Sequence, residues 1–378
     1  MKKSILKYCD SLGPEKIIHI YDPPTGLKAI VVVDNTRLGQ AIGGIRMAPD
    51  VTEEEVFRLA RAMTLKNSIS GLDHGGGKSI IQADPRQLSK EEYNRLIVAF
   101  ANAIENITEY IPGPDMGTNE QVMKLIHSVT GRVVGLPAEA GGIPLDEIGA
   151  TGLGVCASAE TACRIYDIDL KGARIAVQGF GAVGSHAARY LREKGAVLVA
   201  ATDIIGTVED QNGLDIDELV ALKNKRMSVI NSNQGKKGIP EAIISVDCDI
   251  WIPAARPDII TMKNVDQLNT RLIVQGANIP ITVEAEEHLH KKGVYVMPDF
   301  VANAGGVICG AVEYHGGNEL EARQVIYDKV SENTERMIMR SMAHGITPRE
   351  AAMMLAMERL QGVGAGQVES VAVDHQIG

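Results

Sequence analysis

Aromatic residues make up only 4% of the chain, with a single tryptophan, so a platform of rings for stacking nucleic-acid bases is not expected. Positive charge is also in short supply. Lys and Arg total 38 against 48 Asp and Glu, a formal charge of −10 that draws the chain to neither nucleic acid nor an anionic membrane. No apolar run approaches the ~18 residues of a membrane span. Near the N-terminus Lys7 and Asp10 interrupt what would have to be the apolar core of a signal peptide, so a cytoplasmic protein is expected. Cysteine is sparse. Cys9, Cys156, Cys163, Cys248 and Cys309 are odd in number and lack a C-x-x-C pair, which suits reduced thiols. The histidines form no metal-ligand cluster; His288 and His290 stand among charged residues and read as solvated, so no metal is expected. There is no internal repeat or low-complexity block.

What is present points to an α/β protein of two domains, since 378 residues with 45% apolar content fill two cores of ordinary size. Lys16 to Tyr21 and Lys28 to Asp34 read as strands joined by a turn at Pro23-Pro24-Thr25-Gly26, with a third extended piece at Ala41 to Arg46. Thr52 with Glu55, Ser89 with Glu92, Thr118 with Gln121 and Thr347 with Glu350 have the spacing of capping boxes at helix starts. From Thr151 the rhythm changes. A small-residue helix at Gly154 to Tyr166 precedes five short apolar runs, at 174–178, 196–202, 248–252, 272–275 and 294–297, the pattern of a parallel sheet covered on both faces. Past Asn318 the chain reads as helical, ending in a loose tail of about a dozen residues. The expected division is a substrate and oligomerisation domain over 1–142, a dinucleotide-binding domain over 143–325, and helices over 326–378 that return to the first domain.

Three stretches carry chemistry. In the first, Val56, Leu59, Met63 and Lys66 fall at helical spacing on one face; Gly71 stops the helix, and Gly75-Gly76-Gly77 leads into Lys78 and a short strand. Two ammonium groups so placed can converge on one cavity, although lysines also snorkel and glycines also make turns. In the second, Gly179-Phe180-Gly181-Ala182-Val183-Gly184 follows a strand and opens a helix, with Asp203 at the end of the next strand. That combination is the fingerprint of a dinucleotide site: glycines for the tight turn, a helix N-terminus for the pyrophosphate, and an acid for the ribose. Ile204 and Ile205 follow Asp203 with no cation for a 2′-phosphate, so NAD is expected ahead of NADP. In the third, Asp115 lies between two prolines and a helix start, in a stiff loop; an Asp before a helix is also a common cap. Asn278 and Asn303 each follow a strand, where the crevice of an open α/β sheet lies, or else form turns.

The sequence resembles the glutamate/leucine/phenylalanine/valine dehydrogenase family. The match is carried by Gly43-Gly44-Ile45-Arg46, Lys66-Asn67, Gly75 to Lys78, Pro114 to Thr118, Ala150-Thr151-Gly152, Gly179-Phe180-Gly181, Gln275 to Asn278 and Pro298 to Gly306, in the family's order over about residues 40 to 315. The resemblance implies an amino-acid dehydrogenase with an N-terminal substrate domain and a Rossmann-type domain, assembled as a homo-oligomer, usually a hexamer or octamer. Lys66 would grip the substrate α-carboxylate, Lys78 would be the catalytic lysine and Asp115 its acid/base partner. Thr151 would meet the nicotinamide carboxamide, with Asn278 and Asn303 near the nicotinamide end. Glutamate-specific members carry a lysine before the first Gly-Gly pair and a serine four residues after Asn-Ala-Gly-Gly; this chain has Ile42 and Gly310. With Gly43, Gly44, Gly113 and Val307 they would line a roomy apolar pocket for a branched or aromatic L-amino acid. The alternatives are a glutamate dehydrogenase and, from another class, a catalytically silent NAD-binding regulator.

Overall fold

The computed structural model describes residues 5–362, so the expected tail lies outside the described residues. Strands β1 (Lys16–Asp22), β2 (Leu27–Asn35), β3 (Ala41–Ala48), β4 (Gly75–Gln82) and β5 (Tyr110–Pro114) form one sheet in the order β1-β2-β4-β3-β5. β2 runs antiparallel to β1 and β4, while β3 lies parallel between β4 and β5. Side chains alternate between its two faces, as strand geometry requires. Val32 and Ile80 pack against helix α1 (Glu53–Ile69), whereas Val31, Val33 and Ile45 pack against α2 (Lys90–Ile104) and α3 (Glu120–Thr130).

Strand β4 does not open at Lys78, as the sequence reading has it, but at Gly75. The reason is crowding. A Cβ on Gly75 would lie 1.8 Å from the Asn35 carbonyl oxygen, and one on Gly76 would lie 2.0 Å from the Thr64 nitrogen. Bare backbone therefore runs through the sheet centre and delivers Lys78 as the fourth strand residue. On α1 the buried face is Val56, Phe57, Ala60, Thr64 and Leu65, so Leu59, Met63 and Lys66 border it, half-buried, instead of forming it.

Two of the four expected capping boxes form, at Ser89 and Thr347; Thr52 accepts from the Glu55 N–H, but the Glu55 side chain pairs with Arg46 instead. At the fourth, Asn119 takes the position, because the Thr118 hydroxyl is spent on the Asp115 loop.

Helix α4 (Ala150–Ile165) leads into the second sheet, ordered β12-β11-β10-β6-β7-β8-β9. β6 (Arg174–Gln178), β7 (Val197–Thr202), β10 (Ile250–Pro253), β11 (Leu272–Val274) and β12 (Tyr295–Met297) are parallel. The five apolar runs of the sequence supply these five strands. An antiparallel extension, β8 (Thr207–Glu209) and β9 (Lys236–Gly238), is too short and polar to be read in advance. Helices α5 (Ala182–Glu193), α6 (Ile216–Asn224) and α7 (Val283–Lys291) follow β6, β8 and β11. Strand order reverses about β6, which places the crevice at the C-terminal ends of β6 and β10. After α8 (Asp299–Ala302) and α9 (Gly305–Tyr314), the long α10 (Glu319–His344) packs on α4, and α11 (Pro348–Gln361) returns to α1. Among the described residues no helix is long and apolar enough to cross a membrane, and no group of three or more His, Cys, Asp or Glu is placed to hold a metal ion.

Candidate active site

β4 and β5, on either side of β3, position the two groups expected to do chemistry, Lys78 within β4 and Asp115 directly after β5. Lys78 Nζ lies 2.6 Å from Asp115 Oδ2, with the lysine almost wholly buried. Gly44, on β3 between them, makes the approach feasible: a Cβ there would sit 2.8 Å from Asp115 Cβ and 3.2 Å from Lys78 Nζ. Gly43 is barer still, since its Cβ would fall 1.6 Å from the Gly77 carbonyl oxygen. Two residues given no site role beforehand hold Asp115. Thr118 Oγ1 accepts from the Asp115 N–H at 3.0 Å and donates to the Ile45 carbonyl at 2.8 Å. Arg46 reaches Asp115 Oδ2 with Nε at 3.2 Å and Glu55 with Nη1 at 2.6 Å. The signal for Arg46 was its place at the end of the Gly43-Gly44 motif.

These charges set the protonation states. Burial works to raise the Asp115 carboxyl, but Lys78 and Arg46 outweigh it and hold it at about 2, so it stays ionised. Lys78 is pushed below lysine's ordinary value, chiefly by burial; Asp115 pulls it back up and Arg46 pushes it further down. Lys66 is lowered to about 8, again chiefly by burial, with Asp299 opposing and Lys78 assisting. Lys78 does depress Lys66, but desolvation is the larger cause for both lysines.

Lys66 ends α1 facing the second sheet, where its Nζ donates to Asn303 Oδ1 at 2.6 Å. The Asn303 amide then donates to Asn278 Oδ1 at 3.0 Å and to the Ala277 carbonyl at 3.2 Å. Thr151, in the first turn of α4, closes the group: a Cβ on Gly305 would lie 3.2 Å from Thr151 Cα, and one on Gly306 3.3 Å from its hydroxyl. Lys66, Asn303 and Asn278 are thus joined by hydrogen bonds, with Thr151 packed against Gly305 and Gly306 just beyond Asn303.

The glycines expected to line an apolar pocket do not leave their surroundings empty. Val134 fills the space: a Cβ on Gly113 would lie 2.8 Å, and one on Gly310 3.2 Å, from its side chain. Its backbone N–H donates to the Pro112 carbonyl, which fixes it alongside β5. Ile42 and Val134 belong to one apolar cluster with Val307 packed against it. Val134 sits in a segment with no strand or helix periodicity, so nothing in the sequence pointed to it.

At the glycine-rich turn, Gly179 has a φ of +93° and its Cβ would strike Ala255, while Gly184 packs bare against Val177 and the Gly179 carbonyl. A Cβ on Gly181 would meet nothing within 4 Å, so open space lies above the N-terminus of α5, whose first N–H groups have no intrahelical partner. This cradle fits a dinucleotide pyrophosphate. Phe180 does not join in: its ring is buried in the core and its N–H donates to the Thr202 carbonyl at 2.8 Å. Val183 leans toward the 275–278 loop, within 3.0 Å of a Cβ on Gly276. Asp203 directly follows β7, where it was expected, but its own loop occupies it. Oδ1 accepts from Ile205 N, Gly206 N and Ser228 Oγ, and Oδ2 from Val229 N, so at most one acceptor position stays open on Oδ2. The segment that supplies Ser228 also carries Lys225 and Arg226, cations that residues 204 and 205 gave no hint of.

Two family models match the chain: Glutamate/Leucine/Phenylalanine/Valine dehydrogenase over residues 141–364, and the dimerisation domain of Glu/Leu/Phe/Val dehydrogenases over residues 14–132. The NADP-specific glutamate dehydrogenase of Saccharolobus shibatae is 38% identical over 315 residues, 79% of this chain and 74% of that protein. Other curated relatives are named NADP(+)-dependent or NAD-specific glutamate dehydrogenases. Among solved structures, the hetero-hexameric glutamate dehydrogenase of Thermus thermophilus in a leucine-bound form aligns with a TM-score of 0.83 at 27% identity, covering 95% of this chain and 91% of that one. The L-tryptophan dehydrogenase of Nostoc punctiforme aligns with a TM-score of 0.75 at 26% identity, covering 95% and 99%.

Proposed function

The chain belongs to the glutamate/leucine/phenylalanine/valine dehydrogenase family, and from that premise we propose that it oxidatively deaminates an L-amino acid with an apolar side chain, reversibly and with NAD. The observation that carries the reading is the Lys78–Asp115 pair at 2.6 Å, with the neighbouring Lys66 bonded to Asn303 of the second domain. In this reading Lys66 meets the α-carboxylate. Lys78, lowered by burial, takes a proton from water as it adds to the substrate imine, and returns one as ammonia leaves. Asp115, held at about 2, carries a proton only in passing, and its steadier task is to aim Lys78. Gly181 to Gly184 would hold the pyrophosphate, Asp203 one ribose hydroxyl, and Thr151, Asn278 and Asn303 the nicotinamide end. A bound nicotinamide supplies the hydride acceptor.

Substrate preference rests on the pocket wall. Ile42 and Gly310 stand where glutamate-specific members place a lysine and a serine, and Val134 adds a third apolar surface. A γ-carboxylate buried there without a partner would cost several kcal/mol. The tryptophan dehydrogenase neighbour supports an apolar side chain on this fold. Glutamate is the second reading, favoured by the names of the relatives. Initial rates for the twenty common L-amino acids with NAD and with NADP decide between them. Leucine, valine or phenylalanine should exceed glutamate in kcat/KM by at least about tenfold; the reverse order establishes the glutamate reading. Assembly as a homo-oligomer, hexamer or octamer, through residues 1–142 is part of the proposal, in line with the matched dimerisation model and the hexameric neighbour.

A further inference from the structure

Behind Asn303 lies a buried ionic group that the chemistry above does not use. Arg349, in the first turn of α11, donates to Glu286 through Nε at 2.6 Å and Nη2 at 2.8 Å, and to Asp299 Oδ1 through Nη2 at 2.9 Å. Both acids are buried, Asp299 being 6% exposed. Glu286 also accepts from the Gln275 side-chain amide. The second oxygen of Asp299 accepts from the Ile279 N–H at 2.9 Å. Ile279 has a φ of +49°, a left-handed conformation that a β-branched side chain resists, so this bond retains a strained turn directly after Asn278. The Asp299 carbonyl in turn accepts from the Asn303 N–H at 2.8 Å.

We propose that Asp299, locked by Arg349, is a positioning residue: it fixes the Asn278 and Asn303 turns, and its buried carboxylate keeps the Lys66 ammonium charged for the incoming α-carboxylate. The inference rests on the reading in which Lys66 binds that carboxylate. Asp299 is the leading charge that holds Lys66 up against burial, with Asp115 a weaker second and Lys78 opposing both. From the neighbouring helices, Lys329 of α10 and Arg359 of α11 spend their charges on carbonyls at the end of α1, on Gly71 and on Ser68 and Leu72. Few other full charges compete for control of Lys66.

The test compares pH profiles of kcat/KM for L-leucine and L-glutamate at saturating NAD in the full-length protein. The wild-type profile should fall on the alkaline side as Lys66 loses its proton. In Asp299→Asn that fall should move to lower pH by about one unit, and NADH affinity, read from its fluorescence, should weaken by more than about threefold as the Asn278 and Asn303 turns loosen. An unmoved alkaline limb in a folded Asp299→Asn protein overturns the proposal. If that variant does not fold, Asp299→Asn with Ile279→Gly, which removes the strained conformation, carries the same comparison; failure of both to fold makes Asp299 a stability residue and also overturns it. Lys66→Gln separates the two layers. A KM unchanged in Lys66→Gln removes the underlying reading, whereas a large rise in KM there beside an unmoved limb in Asp299→Asn removes this inference alone.

Discussion

Lys78 owes its position to what its neighbours lack. With Gly44 beside it, the amine reaches Asp115 without displacing backbone, and Arg46 keeps that acid ionised when the lysine gives up its proton. Lys78→Ala should therefore lower turnover by roughly 10²- to 10⁴-fold, the usual worth of a positioned acid/base group, with NADH affinity kept; unchanged turnover in stopped-flow assays would remove Lys78 from the chemistry. Its downward shift fixes the sign of the pH response: turnover falls as the solution is acidified through the lowered lysine value, because the neutral amine is the active form. At this scale the sequence was informative for Lys66 and Lys78, whose spacing allowed convergence, and for Asp115 through the family resemblance. Val134 escaped because its importance comes from a contact with Gly113 and Gly310, residues far from it in the chain. Asp203 was found, yet the bonds it accepts from Ser228 and Val229 depend on a loop that folds back from 25 residues away.

Helix α11 is the element that ties the two halves of the site together. Its first turn supplies Arg349 to the loops under Asn303, and its last turn supplies Arg359 to the Leu72 carbonyl at 2.6 Å and the Asp73 carboxylate at 2.9 Å. Ser68 adds a hydroxyl bond to the Ala356 carbonyl. Those contacts anchor the C-terminal end of α1, where Lys66 projects. Arg359→Ala should lower stability by about 1–2 kcal/mol, the cost of unpairing half-buried carbonyls, and raise the KM for the amino acid more than that for NAD. Equal changes in the two KM values in steady-state kinetics would show that the strut does not act on Lys66. The helix itself was legible, since Thr347, Pro348 and Glu350 announce its start. Thr118 with Gln121 offered the same spacing and failed, because the Asp115 loop competes for the threonine hydroxyl. Local patterns were decisive only where no distant partner claimed the same atom.

Across the molecule, the first sheet and the helix that carries Val307 and Gly310 meet through a pair of histidines. His74, four residues before Lys78, places Nε2 3.0 Å from Nε2 of His315, at the end of α9, and Nδ1 3.1 Å from the Gln40 carbonyl. That carbonyl can only accept, so His74 carries its proton on Nδ1 and His315 donates from Nε2. Burial lowers His74 below the ordinary histidine value, and His315 lowers it further. The sign follows from linkage. A folded value below the unfolded one means that neutral His74 contributes fully above about 6.5, and that contribution fades as pH falls through the lowered folded value. Thermal midpoints should drop between about pH 7 and pH 5, and His74→Gln should flatten the drop; an identical drop in both proteins would place the acid sensitivity elsewhere. The overall architecture was readable from strand rhythm and the glycine fingerprint, while this contact joins residues 241 positions apart and left no local trace.

The bare floor beneath Lys78 also decides where this scaffold can be re-tailored. Any side chain introduced at positions 43, 75 or 76 would collide with main chain, which no rotamer change relieves. Diversity aimed at new substrates belongs on the opposite wall, at Val134, where trimming or swapping an apolar side chain alters capacity while the reacting amine keeps its seat. A library that randomises the floor and the wall together should return survivors that vary at 134 and repeat glycine everywhere below.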